Sequence, residues 1–169
     1  MNRFFNEQGG SEVTVVQDVA ERWIEAFNRR DLIVISSLYA PDAELYDSGM
    51  HRARRGHGEI ESWFRLRFAS MPDNVYAPEA YEVADPEHIR VTWNFYGRSP
   101  KLLRQSWLSR PFQVRGTSSF ALRDGLIHKQ HGLYEHLSVL RQIFPWLGWL
   151  PTPFLEAIYA LYLLRHRQW

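Results

Sequence analysis

The chain has 169 residues, and its 20 basic and 19 acidic residues give a formal net charge of +1. This length fits one domain with one main core. The evenly mixed charges argue against nucleic-acid binding, because proteins that neutralise phosphates carry a basic face. The absence of cysteine excludes disulfides and a cysteine nucleophile and fits a cytoplasmic location. The N-terminal residues contain no apolar stretch typical of a signal peptide.

The first half of the chain predicts helices. Residues 1–11 are polar and contain glycine, so we expect a flexible leader. Apolar side chains recur at three- and four-residue spacing over residues 13–30, which predicts an amphipathic helix. A short helix over residues 32–39 ends before Pro41, because the residue preceding a proline is displaced from helical geometry. A strand over residues 43–47 and a further helix over residues 58–68 follow.

The second half of the chain predicts a sheet. Four segments have strand character and are separated by turn residues, namely residues 79–84, 88–96, 111–123 and 126–135. Asp124-Gly125 is typical of a two-residue hairpin turn between the last two strands. Helices followed by strands favour an α+β domain with an antiparallel sheet. The sequence lacks a glycine-rich phosphate loop, which argues against a nucleotide-binding fold.

Several short motifs carry a resemblance to a known family. They are WIEAFNRRDL at 23–32, LYAPDA at 38–43, RGHGEI at 55–60, RDGLI at 123–127 and LSVLRQI at 137–143. In this order they resemble the SnoaL-like branch of the nuclear transport factor 2-like superfamily. The resemblance implies a cone-shaped, curved sheet wrapped by N-terminal helices, a domain over residues 12–143, and commonly a homodimer. Family members include polyketide cyclases, epoxide hydrolases, isomerases, dehydratases and binding subunits, so the fold alone does not select an activity.

Asp47 is the first candidate catalytic residue. Enzymes of the family that this chain resembles place acid–base groups on the inner faces of the first and last strands, and Asp47 matches the first position. If Leu45 and Asp47 share the inward face, Asp47 is a carboxylate in an apolar pocket, where desolvation raises its pKa. An alternative interpretation is a turn aspartate in Asp47-Ser48-Gly49 that caps its own backbone.

The last strand departs from the pattern of the family's enzymes. In the register set by Asp124-Gly125, Gly132 occupies the position where many of them carry an aspartate. The missing acid argues against a two-carboxylate mechanism and would enlarge the pocket. Strand periodicity places His128, Gln130 and Tyr134 on the face of Gly132. We expect His128 and Tyr134 to assist catalysis and Gln130 and Gly132 to contact substrate, although a solvated histidine near the hairpin is an alternative.

Aromatic residues, 15% of the chain, supply candidate walls for the pocket. Trp93 and Phe95 alternate along one strand and therefore share a face. We expect them, together with Leu45 and Trp63, to line a site for a small hydrophobic molecule. Ordinary core packing of the same rings is the alternative.

The sequence predicts neither a metal nor a cofactor. His128, His131 and His136 are separated by three and five residues, so an extended strand directs neighbouring members of this set to opposite faces. No zinc-binding helix motif is present, and neither Ser118 nor Ser119 lies in a nucleophile elbow.

Residues 144–169 form an apolar C-terminal extension. Over residues 154–164 only Glu156 is polar, so a helix there must be covered. The cover could be the domain itself, a dimer partner, or a membrane surface contacted peripherally through residues 146–167. The segment is too short to span a membrane, which needs about 20 apolar residues.

Two functions remain open on the sequence alone. One is a cofactor-independent isomerase, cyclase or dehydratase that acts by acid–base chemistry on a polyketide-, steroid- or terpenoid-like substrate, which Asp47 favours. The other is a non-catalytic ligand-binding or interaction module that uses the cavity and the apolar C-terminal helix, which Gly132 favours.

Overall fold

The structure is a computed structural model that describes residues 8–98, 110–143, 145, 151, 153, 154, 156 and 157. The elements in chain order are α1 (Gln8–Arg29), α2 (Leu32–Ser37), β1 (Tyr39–Asp47), β2 (Arg54–Arg55), α3 (Gly56–Ser70), β3 (Val75–Asp85), β4 (His88–Arg98), β5 (Pro111–Arg123), β6 (Leu126–Tyr134) and α4 (His136–Ile143). The predicted α+β class is therefore confirmed.

Helix α1 begins at Gln8, earlier than the predicted start at residue 13. Its buried stripe has the predicted spacing and consists of Val16, Val19, Ala20, Trp23, Ile24, Ala26 and Phe27. The helix ends where Arg30 adopts a φ of 61°, in the left-handed region. The Arg30 guanidinium donates hydrogen bonds to the carbonyls of Phe27 and Pro72, which ties the end of α1 to the segment before β3. Asp31 then caps α2 by accepting a hydrogen bond from Val34 N at 2.9 Å.

The six strands form one curved sheet in the order β2-β1-β6-β5-β4-β3. The β1–β6 pair is parallel, whereas every other pair in this sheet is antiparallel. Helix α2 ends at Ser37, so Pro41 lies within β1 rather than after a helix. The β1–β6 register is irregular between Tyr39 and Glu44, as expected for a strand containing a proline, which cannot donate to the ladder.

The inner face of the sheet packs against α1 and α3 and forms an aromatic core. Phe27 lies 4.6 Å from Tyr76 and Trp23 lies 5.6 Å from Phe120, measured between ring centroids. Along β4, Ile89, Val91, Trp93 and Phe95 are buried while their neighbours are more exposed, which matches the predicted alternation. The sheet therefore has one apolar face under the helices and one polar outer face.

The predicted apolar helix over residues 154–164 lies largely outside the described residues. Of its described members, Phe154 is 63% exposed. In the part of the chain that the structure describes, no helix combines the length and apolar character needed to cross a membrane.

Candidate functional site

Asp47 lies at the end of β1 and points to the core side of the sheet. Its side chain is buried, with 8% exposure, on the same face as the fully buried Leu45. The carboxylate oxygen Oδ1 accepts a hydrogen bond from the backbone N–H of Gly49 at 2.8 Å. Asp47 thus caps the turn that ends β1 and also faces inward, so the two interpretations of this residue are compatible.

Gly132 is the direct neighbour of Asp47 across the β1–β6 pair. A Cβ added at Gly132 would lie 3.2 Å from Asp47 Oδ2. A side chain at this position would therefore press on the carboxylate, and glycine leaves that space open.

Tyr134, at the end of β6, brings a phenol to the same carboxylate. Its side chain forms a hydrogen bond with Asp47, and its backbone N–H donates to Ser48 Oγ at 3.2 Å. His136, the first residue of α4, has its Nε2 2.9 Å from the same Ser48 Oγ. The Tyr134 hydroxyl, Asp47 Oδ1 and His136 Cε1 lie 2.9, 3.1 and 3.2 Å from the place a Gly49 Cβ would take. Three polar side chains therefore converge on the β1 turn.

Arg67, from α3, adds a cation to this group. Its side chain forms a hydrogen bond with Tyr134, and because arginine only donates, the phenol oxygen is the acceptor. The guanidinium carbon lies 5.4 Å from the ring centroid of Phe95 and 5.8 Å from that of Trp63. The Nε of Arg67 is inaccessible to solvent and has no hydrogen-bond partner among the described residues. We call Asp47, Arg67, Tyr134 and His136 the Asp47 cluster.

Burial dominates the electrostatics of the cluster. It raises the pKa of Asp47, and the opposing effects of Arg67, the Gly49 N–H, His136 and Tyr134 do not cancel it. Burial lowers the pKa of His136, against the attraction of Asp47. These directions favour a neutral imidazole and a carboxyl that holds its proton more tightly than a solvated aspartate.

The Arg67 guanidinium stays charged within this partly buried group. Burial acts to lower the pKa of Arg67, but Tyr134, Tyr76 and Asp47 together raise it above the ordinary value. Burial also raises the pKa of Tyr76, so this phenol is neutral at physiological pH. The Asp47 carboxylate, when ionised, attracts the Arg67 guanidinium.

His128 does not belong to the cluster, which corrects the prediction that it partners Asp47. The β5–β6 register shifts between Ala121 and Leu122, which leaves His128 opposite no residue of β5. The inward and outward alternation of β6 side chains is therefore interrupted at His128. Its Nδ1 is inaccessible to solvent and lies 3.7 Å from Oδ1 of the exposed Asp42. Because Asp47 pairs with Gly132, His128 is about 13 Å away along the strand.

Gln130 lies in the core beneath α1 rather than beside Asp47. Its Oε1 accepts a hydrogen bond from the Tyr39 hydroxyl, which in turn accepts one from Trp23 Nε1 at 2.8 Å. Gln130 and Tyr39 are 5% and 1% exposed. This buried chain of hydrogen bonds explains Gln130 by a structural role in the core. Its contact with substrate stays a prediction.

The predicted aromatic wall divides between the core and the Asp47 cluster. Trp93 is 1% exposed, and its Nε1 donates to Ser118 Oγ at 3.0 Å. Its ring centroid lies 6.2 Å from that of Tyr134, while Phe95 lies beneath Arg67. Trp63 is partly exposed and also contacts Arg67. These rings pack in the core and at the same time support the cluster.

The sequence does not predict Arg67 as a site residue, and it presents His136 only within a histidine set whose spacing argues against a metal site. Arg67 lies in a predicted helix containing several arginines, and no local motif distinguishes it from Arg65. His136 could have been predicted from its position just after the last strand, because it lies two residues from the candidate Tyr134.

Two surface depressions, both lined by described residues, lie away from the Asp47 cluster. One, of about 740 Å³, is on the outer face of the sheet beside Tyr46, Arg90 and His131. The other, of about 530 Å³, lies near the β5–β6 hairpin. Neither includes Asp47 among its lining residues, so the enclosed pocket stays a prediction. Among the described residues, no group of three or more His, Asp or Glu side chains is arranged to hold a metal.

Many solved structures share this fold. A candidate SnoaL-like polyketide cyclase from Shewanella denitrificans superposes with a TM-score of 0.66 at 16% identity, covering 75% of this chain and 95% of its own. TerC, co-crystallised with polyporic acid, has a TM-score of 0.63 at 16% identity and coverages of 76% and 98%. A phenazine biosynthesis-related protein from Pseudomonas aeruginosa has a TM-score of 0.66 at 16% identity and coverages of 81% and 90%.

A search of curated proteins finds no match. The family model for the SnoaL-like domain matches residues 20–130, which is more than half of the 169-residue chain. This stretch contains part of α1, all of α2 and α3, the end of β1 with Asp47 and most of the sheet. The chain belongs to the SnoaL-like domain family.

Proposed function

We propose that this protein is a cofactor-independent enzyme of the isomerase or cyclase type. It transfers a proton at a carbon atom of a hydrophobic, polyketide-, steroid- or terpenoid-like substrate, with Asp47 as the base. The observation that carries the proposal is the buried Asp47 carboxyl, which is fixed by the Gly49 N–H and hydrogen bonded to Tyr134. A general base must be held in one orientation to act on a C–H bond.

The raised pKa of Asp47 suits this role. A carboxylate with a higher pKa is a stronger base, and proton transfer is most effective when the pKa of the base lies near the working pH. Tyr134 positions the carboxyl, and Phe95 and Trp63 supply apolar surface next to it. The other members of the cluster are partly exposed and lie between the buried carboxyl and the surface, namely Arg67, Tyr134 and His136.

Gly132 favours a proton shift over hydrolysis. Hydrolysis by paired carboxylates needs a second acid to activate water or protonate the leaving group, and Gly132 removes the side chain beside Asp47 that could serve. A single carboxyl can take a proton from one carbon and return it to another. That sequence produces isomerisation, or cyclisation when the intermediate carbanion attacks a second carbonyl.

The similar structures support a small organic ligand in general terms. One is a candidate polyketide cyclase and another was crystallised with polyporic acid. Their 16% identity supports the shared fold only, so the proposed chemistry rests on the residues of this chain.

The proposal is tested by hydrogen exchange at carbon. 2-Tetralone, an enolisable bicyclic ketone, is incubated with the protein in deuterated buffer, and loss of the α-proton signals is followed by NMR. The wild type should accelerate exchange above the buffer rate, and Asp47→Asn should reduce the acceleration at least about a hundredfold, the scale of a lost general base. Asp42→Asn is the matched control, because this exposed aspartate lies on the same strand and pairs with Arg123.

Equal exchange by the wild type and Asp47→Asn would refute Asp47 as the base. Saturable binding of tetralone with no acceleration by the wild type would instead support the non-catalytic binding module. Circular dichroism of each variant establishes that the fold is intact before the rates are compared.

A further inference from the structure

The Asp47 side chain is only 8% exposed, so a substrate needs a neighbouring element to move before it can reach the carboxyl. Helix α4 begins at this point with His136. The ring centroids of His136 and Tyr134 are 4.1 Å apart. His136 Cε1 and Asp47 Oδ1 lie 3.2 and 3.1 Å from the place a Gly49 Cβ would take. The start of α4 is therefore packed directly beside the carboxyl.

Helix α4 crosses one end of the sheet and is fastened to a strand at each side. At its start, His136 Nε2 lies 2.9 Å from Ser48 Oγ, in the turn after β1. Near its end, the Gln142 carboxamide accepts a hydrogen bond from the Gln113 N–H at 2.9 Å and donates one to the Gln113 carbonyl at 2.8 Å. Strand β6 lies between β1 and β5 and ends at Tyr134. Helix α4 thus connects β1 with β5 across the end of β6.

Helix α4 is held by fewer buried contacts than α3, which contributes Arg67 to the same cluster. Helix α3 buries Ile60 and Phe64 completely. None of the eight residues of α4, all of which the structure describes, is buried, and Val139 and Ile143 are only partly covered by the core. Segments with few buried apolar contacts open locally at low free energy, and an eight-residue helix is not stable by itself. Helix α4 is therefore the element that can leave while α3 stays in place.

We propose that α4 is a lid over the Asp47 cluster, which opens to admit the hydrophobic substrate and is fastened again behind it. This inference rests on the proposed function, and it adds the route by which the substrate enters. Opening breaks the contacts of α4 with Ser48 Oγ and with Gln113. It leaves the Gly49 N–H on Asp47 Oδ1 and the bond from Ser48 N to the Gly132 carbonyl in place, so the base keeps its orientation. Closing excludes water from the reacting groups.

The first test measures the opening of α4 and needs neither ligand nor turnover. Amide hydrogen exchange is followed by mass spectrometry, and the amides of α4 should exchange faster than those of β5 and β6. Gln142→Ala removes the fastening to β5 and should accelerate exchange in α4 about three- to tenfold, the effect of one lost hydrogen bond, without changing β4. Gln17→Ala is the matched control, because this glutamine of α1 bonds to Glu21 at the surface and should leave α4 unchanged.

The second test holds the lid shut. The chain contains no cysteine, so the double variant Gln113→Cys/Gln142→Cys has only two thiols, which dibromobimane joins into a fluorescent cross-link. Joining them should slow the hydrogen exchange of 2-tetralone at least about tenfold, because a lid that cannot open limits the whole reaction. It should also slow the binding of 2-naphthol, which is followed by the fluorescence of the naphthol. Each single-cysteine variant, alkylated with N-ethylmaleimide, is the control and should retain the unmodified rates.

The outcomes separate the lid from the base. Amides of α4 that exchange as slowly as those of β6 overturn the lid, whether or not tetralone exchange depends on Asp47. Naphthol binding that is equally fast in the joined protein overturns it as well. Slower naphthol binding in the joined protein, combined with tetralone exchange that Asp47→Asn does not change, refutes the base and supports the lid. If Gln142→Ala is unstable, the amide exchange of the wild type and the joined protein still decide.

Discussion

Replacing Tyr39 by phenylalanine tests whether Gln130 serves the core or the ligand. The Tyr39 hydroxyl is the middle of a buried chain, because it accepts a hydrogen bond from Trp23 Nε1 and donates to Gln130 Oε1. All three side chains are at most 5% exposed. Tyr39→Phe preserves the ring but leaves one buried donor and one buried acceptor without this partner.

The size of the effect follows from those two lost partners. A buried polar group left without a hydrogen bond costs about 1–3 kcal/mol, so the two lost partners in Tyr39→Phe should lower the free energy of unfolding by about 2–6 kcal/mol. Burial raises the pKa of Tyr39 well above its usual value, so the hydroxyl remains a neutral donor throughout the accessible pH range. Urea unfolding followed by circular dichroism measures the change.

A double-mutant cycle with Gln130→Leu locates the loss. In the double variant only Trp23 Nε1 lacks its partner, so the combined destabilisation should be smaller than the sum of the single effects by about 1 kcal/mol or more. Tyr46→Phe is the control, because this tyrosine lies on the outward-facing side of the same strand and is only partly buried. A Tyr39→Phe effect below about 0.5 kcal/mol, or strict additivity with Gln130→Leu, would refute the buried chain.

Two further predictions concern the walls and the charge of the site. Gly116→Ala should destabilise the protein by about 3 kcal/mol in urea unfolding, because the new Cβ would lie 2.4 Å from Trp93 Cη2 and 2.5 Å from the Leu133 carbonyl oxygen; an effect below about 1 kcal/mol would contradict this packing. Since the folded pKa of Asp47 is raised, its stabilising contribution is present below the unfolded pKa and is lost as pH rises through the folded value. The stability of the wild type relative to Asp47→Asn should therefore fall with increasing pH, and a difference that rises or stays constant would contradict a raised pKa.

Most of the fold follows from patterns that are local in the sequence. The spacing of apolar residues in α1 and the alternation in β4 reflect a single helix face and a single sheet face, so each element is encoded within its own residues. The two-residue strand β2 is too short to show any alternation. The parallel pairing of β1 with β6 joins segments more than 80 residues apart and depends on the whole topology, which no local pattern records.

The candidate site shows the same division. Asp47 was identifiable because its strand alternates and ends in a turn that favours aspartate. The position of His128 could not be predicted, because one irregularity in the β5–β6 register shifts the alternation by a residue, and such a shift moves side chains to the other face. Arg67 becomes distinctive only after folding, when α3 brings it against Phe95 and Tyr134.

Gly132 and Arg67 together define the chemistry that this site favours. A second carboxylate beside Asp47 would repel it and hold one of the two acids protonated, which suits acid–base catalysis by a pair. Here glycine occupies that position, and Asp47 interacts electrostatically with the guanidinium of Arg67. Hydrolysis by a pair of acids would need the side chain that Gly132 lacks, which supports the proposed proton shift by a single carboxyl.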